Sequence, residues 1–188
     1  SLKDYNIPIR IGVNSGSIKK EYLEKYNGVN ENSMVYSALE HIRLLENMNY
    51  NNMKISLKAS SVPLTIKTYH KMSEMIDYPL HLGITEAGPV WKGTVKSAVG
   101  IGALLSMGIG DTIRISLTGD PVEEVKVGKE ILQSLNLVDE GIEIISCPTC
   151  GRTKIGLIEL VEEAERRLKD VKKPLKVAIM GCPVNGPG

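Results

Sequence analysis

Cys147 and Cys150 stand three positions apart in the stretch ISCPTCGRTKIG, and Cys182, in GCPVNGPG, is the third cysteine of the chain. Thiolates bind soft metals and exchange with disulfides, and a cysteine can also sit buried as a small apolar residue. A structural zinc site is normally closed by four Cys or His ligands. The histidines here, His41, His70 and His81, all lie far from the cysteines in sequence. A redox dithiol of the thioredoxin type uses a CxxC pair and has no task for Cys182. An iron–sulfur cluster usually takes four protein ligands, most often thiolates. Three cysteines leave one iron to a different ligand or open to substrate. The glycines around Cys182 would let backbone N–H groups come close to cluster sulfur. On the cysteines alone, zinc and iron–sulfur readings both stand.

A second group of residues points to anions. Arg10, Lys58 and Arg114 fall near the ends of three strand-like runs, with Asn14, Ser15, Gly16, Ser60 and Ser116 beside them. Cations with hydroxyl and amide donors suit a phosphate or diphosphate. Each alone would as readily be a surface or ion-paired side chain. Glu86, in TEAG, adds a carboxylate to that rim. It either pairs with Lys58 or an arginine, or serves as an acid or base.

The elements that must hold these residues alternate. IPIRIGVNSG, MKISLKAS, YPLHLGITEAG and DTIRISLTGDP read as strands. Between and after them, MVYSALEHIRLLENM, LTIKTYHKMSEMI, TVKSAVGIGALLSMGIG and VEEVKVGKEILQSL read as helices, the first with Val35, Leu39, Ile42 and Leu45 on one face. Four strand–helix units argue for parallel strands joined by helical crossovers. Every strand has one aliphatic face: Ile9, Ile11 and Val13; Ile55 and Leu57; Leu80, Leu82 and Ile84; Ile113, Ile115 and Leu117. The opposite faces carry Arg10, Gly12 and Asn14; Ser56 and Lys58; His81, Gly83 and Thr85; Arg114, Ser116 and Thr118. A sheet covered by helices on both faces would be apolar throughout. One polar face favours a barrel wall, with its site at the C-terminal strand ends. Glu86 reaches that site only if its strand has ended by Thr85. A full barrel takes ~250 residues, and only four units fit before residue 140, so the choice is a half-barrel or an open sheet.

After NLVDEG the pattern resets. IEIIS leads into the CxxC, GLIELVEEAERRLKD is an amphipathic helix with Leu157, Leu160, Val161 and Leu168 on or near one face, and PLKVAIMG leads into Cys182. This β-α-β stretch presents both cysteine groups at strand C-termini. The totals add exclusions. Lys and Arg number 23 and Asp and Glu 22, a net charge of +1, which gives no general pull toward nucleic acid or an anionic membrane. No apolar run is long enough to span a bilayer, and the start, SLKDYNIPIR, lacks the apolar run of a signal peptide. A cytoplasmic protein is expected.

PIRIGVNSGS, KAS, LHLGITEAG, TIRISLTGDP, CPTCGR and GCPVNGPG, in this order, resemble the 4-hydroxy-3-methylbut-2-enyl diphosphate synthase family, iron–sulfur oxidoreductases of the methylerythritol phosphate route to isoprenoids. The resemblance implies an α/β chain. Residues 1–138 would be the second half of a TIM-type (β/α)8 barrel, its fifth to eighth units, and residues 139–188 the first part of an incomplete α/β domain carrying a 4Fe-4S cluster. It makes Cys147, Cys150 and Cys182 cluster ligands, with a glutamate expected at the position after Gly188 as the fourth. By position, Arg10, Asn14, Lys58, Arg114 and Ser116 match substrate-contacting residues, and Glu86 the proton-handling carboxylate. The implied reaction is reductive ring opening and dehydration of 2-C-methyl-D-erythritol 2,4-cyclodiphosphate, with ferredoxin or flavodoxin as electron donor. The implied assembly is a homodimer in which one subunit's cluster domain caps the partner's barrel. The 188 residues alone are expected to be inactive and to self-associate through open strand edges. The alternative is a zinc-stabilised, non-catalytic binding domain.

Overall fold

β1 (Ile9–Asn14) and β2 (Met53–Lys58) lie parallel, with Ile9 opposite Met53 and Asn14 opposite Lys58. In this computed structural model, which describes residues 4–139 and 141–186, two further parallel strands follow. They are β3 (His81–Leu82) and β4 (Thr112–Ile113), with His81 opposite Thr112. A bridge between Ile55 and Leu80 joins β2 to β3, so the order is β1-β2-β3-β4. Parallel neighbours require crossovers. These run through α1 (Lys20–Lys25) and α2 (Glu31–Asn47), then α3 (Val62–Ser73), then α4 (Val90–Ser106), and α5 (Pro121–Ser134) follows β4.

The helices start where capping chemistry directs. Asn30 accepts the N–H of Ser33 at the head of α2, Ser61 that of Leu64 at α3, and Asp120 that of Val122 at α5. Such caps satisfy N–H groups that have no partner inside the helix. The aliphatic strand faces meet the helices in one core. Ile11, Val13, Ile55, Leu57, Leu80 and Leu82 pack there with Met34, Val35 and Ile42 of α2, Tyr69 and Met72 of α3, and Ile101 and Leu104 of α4. Each fully buried aliphatic side chain contributes roughly 1.5–3 kcal/mol. The opposite face is open along β1, where Arg10, Gly12 and Asn14 are exposed, and closes on itself toward β3, where Ser56, Lys58 and His81 are buried.

β3 and β4 are far shorter than the runs YPLHLGITEAG and DTIRISLTGDP suggest. Side chains have taken ladder positions. The Tyr69 hydroxyl lies between β2 and β3, accepting the Leu57 N–H at 2.9 Å and donating to the His81 carbonyl at 2.5 Å. An Asp111 carboxylate oxygen takes the Leu80 N–H at 2.7 Å. The backbone groups are satisfied, but not by strand partners. A 3-10 turn at Ser15–Ser17 and the six-residue α1 were also unforeseen; both are too short to show a period.

This first unit runs to Leu135, and a second begins at Asn136. In the second, β5 (Ile142–Ser146) and β6 (Leu175–Ile179) are parallel, with Ser146 opposite Ile179, and α6 (Leu157–Leu168) connects them. Of the helix positions expected on one face, Leu157 is buried and Val161 and Leu168 are half-buried, but Leu160 is exposed. Among the described residues no helix is long and apolar enough to cross a membrane.

Candidate functional site

The polar face of the first unit is built in rows, because residues paired across parallel strands point to the same side. One row begins with Arg10 and Lys54, and the next with Gly12 and Ser56. His81 and Thr112 continue the second row, set in register by the Ile55–Leu80 bridge. The row nearest the strand C-termini begins with Asn14 and Lys58. Gly83 and Arg114 extend it, one residue beyond the paired Leu82 and Ile113. Ser116 follows two residues on, half-buried.

Lys58 is only 7% exposed. Burial, with the Arg114 and Arg10 charges adding, pulls its ammonium from the ordinary 10.5 to about 8. Among the described residues, none of Arg10, Lys54, Lys58 and Arg114 forms an ion pair with a carboxylate across this face. A buried cation without a counterion is costly, and an arriving anion would remove the cost. His81 lies in the same field. Its Nδ1 is 2.7 Å from the Thr112 hydroxyl. Burial first, then Lys58, Lys54, Arg10 and Arg114, push the imidazole from 6.5 down to about 4, so it is neutral at pH 7. His81, Lys54, Gly83 and Thr112 were not singled out as site residues from sequence. The same two-residue alternation that marked Arg10 and Lys58 would have found them.

The loops beyond the strands are tied together. Thr118 N–H donates to the Gly88 carbonyl at 2.9 Å, and Pro89 bridges to Thr118. The third strand ends before Thr85, and Glu86 follows, exposed, with φ of +54°. Left-handed backbone is unusual for a residue with a side chain and concentrates at functional sites. The ion pair considered for Glu86 is not formed among the described residues.

In the second unit, Cys147 directly follows β5, and Gly181 and Cys182 close the loop after β6. The Gly181 N–H donates to Cys147 Sγ at 3.3 Å, and the Lys154 N–H to the Gly181 carbonyl at 3.1 Å. The CxxC loop is closed by Cys150 and Thr153. The Cys150 N–H donates to the Thr153 hydroxyl at 3.1 Å, and the Thr153 N–H to the Cys150 carbonyl at 2.9 Å. The Cys150 thiol is held below its ordinary value, first by a backbone N–H of Arg152, with the Thr153 hydroxyl and the Arg152 charge adding. Cys182 is buried, Cys147 half-buried and Cys150 exposed. The loops are neighbours, as expected. The three thiols are not gathered into a ready metal cage among the described residues. The donor set still fits a thiolate-bound group. An N–H bonded to one sulfur and a depressed thiol are the environment such ligands use. Pro187 and Gly188 of GCPVNGPG lie outside the described residues.

The GcpE TIM-barrel domain model matches residues 1–129, and the GcpE protein C-terminal domain model matches residues 143–188. The 4-hydroxy-3-methylbut-2-en-1-yl diphosphate synthase (flavodoxin) of Ruminiclostridium cellulolyticum is 63% identical over 186 residues, which are 99% of this chain and 53% of that protein. The protein of the same name from Caldanaerobacter subterraneus is 63% identical over 188 residues, 100% of this chain and 53% of that one. The one from Clostridium acetobutylicum is 58% identical over 188 residues, 100% and 54%. The chain thus spans about half the length of the curated relatives it matches.

Proposed function

The chain belongs to the GcpE family, and from that premise we propose that it carries part of the machinery for reductive opening of 2-C-methyl-D-erythritol 2,4-cyclodiphosphate. Residues 1–138 supply half of a substrate barrel, and residues 139–188 the first part of a cluster domain. Two electrons and two protons enter, a ring C–O bond to phosphate breaks, one water leaves, and 4-hydroxy-3-methylbut-2-enyl diphosphate forms. The relatives are named for flavodoxin, which makes flavodoxin the donor of choice over ferredoxin. A cytoplasmic homodimer completes the reading.

The observation that carries it is the cationic face. Lys58 and Arg114 stand in one row with Asn14, without carboxylate partners among the described residues. Their role is to fix the diphosphate and to neutralise the charge that grows on its oxygen as the C–O bond breaks. Arg10, two rows nearer the strand N-termini, adds field, while Asn14 and Ser116 offer uncharged donors. Glu86, at the loop after the third strand, delivers a proton to the departing hydroxyl, so that water leaves instead of hydroxide. Cys147, Cys150 and Cys182 would hold a 4Fe-4S cluster, which supplies the electrons that no side chain can.

Two measurements test this. Titration calorimetry should show inorganic pyrophosphate binding to the chain, weakening as salt rises, and at least about tenfold weaker for Arg114→Ala, as loss of a charge-assisted hydrogen bond requires. No binding by the parent chain would remove the anion reading. Anaerobic addition of iron and sulfide should give a brown absorption that is lost on Cys147→Ser. A colourless protein that takes up zinc with the same cysteines would favour the zinc-stabilised, non-catalytic alternative.

A further inference from the structure

Gly83 has no side chain, and its φ does not call for a glycine. Gly88, nearby, has φ of +103°, a conformation that favours glycine; Gly83 is not among the residues with positive φ. What glycine provides at 83 is room. A β-carbon built there falls 2.9 Å from both Cε and Nζ of Lys58 and 2.8 Å from the Arg114 carbonyl oxygen. All three distances are below any ordinary carbon contact. The aminomethyl end of Lys58 therefore lies where the side chain of residue 83 would be, folded across the chain just past β3.

We propose that Gly83 is a positioning residue, the seat that holds the Lys58 ammonium on the polar face between Asn14 and Arg114, aimed at the bound anion. A lysine has four rotatable bonds and three donors around a point charge. Left in solvent it would swing. Seated on Gly83 it is buried, and it has no carboxylate to hold it among the described residues. The Arg114 and Arg10 charges that oppose its ammonium would be offset by an anion bound beside it. The fall of its ammonium to about 8, caused first by burial, is what such a seat produces. The aim toward an anion rests on the diphosphate reading above; the seat itself does not.

The competing explanation is that glycine is needed only to clear the Arg114 carbonyl. A double-mutant cycle separates the two. Gly83→Ala, Lys58→Ala and the double variant of the 188-residue chain are unfolded in urea. If Lys58 occupies the seat, Gly83→Ala is destabilising and Lys58→Ala removes at least half of that loss. Equal losses in both backgrounds overturn the proposal. If Gly83→Ala does not fold alone but folds with Lys58→Ala, the seat is supported; if neither folds, the carbonyl clash dominates and the seat is rejected. NMR of isotopically methylated lysines gives a readout that a merely structural glycine would not move. The Lys58 resonance, assigned by its loss in Lys58→Arg, should titrate near 8 in the parent and at least about one unit higher in Gly83→Ala, toward the ordinary lysine value. An unmoved midpoint rejects the seat. Pyrophosphate affinity should fall at least about tenfold in Gly83→Ala, as expected for a displaced charged donor. If the parent fails to bind pyrophosphate while the cycle shows coupling, the diphosphate reading falls and the seat stands. If both bind alike, the seat is not what aims Lys58.

Discussion

Glu86, in the loop after β3, and His81, on β3 itself, face opposite demands. In the proposed reaction Glu86 is the proton donor, and it stands on left-handed backbone, with φ of +54°. Glu86→Gln is nearly isosteric and still hydrogen-bonds, but an amide cannot deliver a proton. In a catalytically complete protein that contains this segment, turnover should fall about 10²–10⁴-fold, the usual contribution of a general acid. Substrate affinity should change little, as steady-state kinetics would show. Turnover at the parent rate would make Glu86 a partner for the surrounding cations only. His81 must instead stay neutral among them. Its folded value of about 4 lies below the ordinary 6.5, so the unfolded chain binds the proton more tightly. Its contribution to stability is full above pH 6.5 and is lost as pH falls toward 4. Burial is the first cause, and the charges of Lys58 and Lys54 on β2, Arg10 on β1 and Arg114 after β4 add to it. Urea midpoints between pH 7 and pH 4.5 should show a loss on the order of 1–2 kcal/mol, after discount for water at the open face. His81→Gln should flatten that slope; an unchanged slope would place the titration elsewhere.

At the scale of elements, Tyr69 takes one place between β2 and β3 that a ladder bond would otherwise fill. The hydroxyl serves a Leu57 N–H and a His81 carbonyl at once, and its own proton is harder to remove, its value raised to about 12 by burial. Tyr69→Phe keeps the ring in the core and leaves two buried backbone groups without that partner. The cost should be about 1–3 kcal/mol in denaturant unfolding. A loss below about 0.5 kcal/mol would mean the strands close the gap on their own. This substitution of side chain for ladder is also why the strands were legible in the sequence only as faces. The alternation placed Ile55, Leu57, Leu80 and Leu82 in the core and Arg10, Lys58 and Arg114 on the other side, and the structure agrees. Strand length depends on which backbone groups a distant tyrosine and aspartate capture, and no local pattern encodes that. Gly83 was visible only as a member of the polar face. Its relation to Lys58 comes from a close approach between residues 25 positions apart, which no local pattern encodes. The cysteine loops were legible as neighbours because both follow parallel strands, but the placing of the three thiols depends on loop conformation.

On the scale of the whole molecule, the proposed function divides two chemistries between two units, charge neutralisation in one and thiolate ligation in the other. The two family models match in chain order, one on each unit. The most direct test of the combined account is to replace the matching half of the Ruminiclostridium cellulolyticum relative with these 188 residues and to follow cyclodiphosphate turnover with reduced flavodoxin. The chimaera should turn substrate over, and Arg114→Ala within the graft should weaken substrate binding. A chimaera that folds and binds iron and sulfide but neither binds nor turns over the cyclodiphosphate would contradict it.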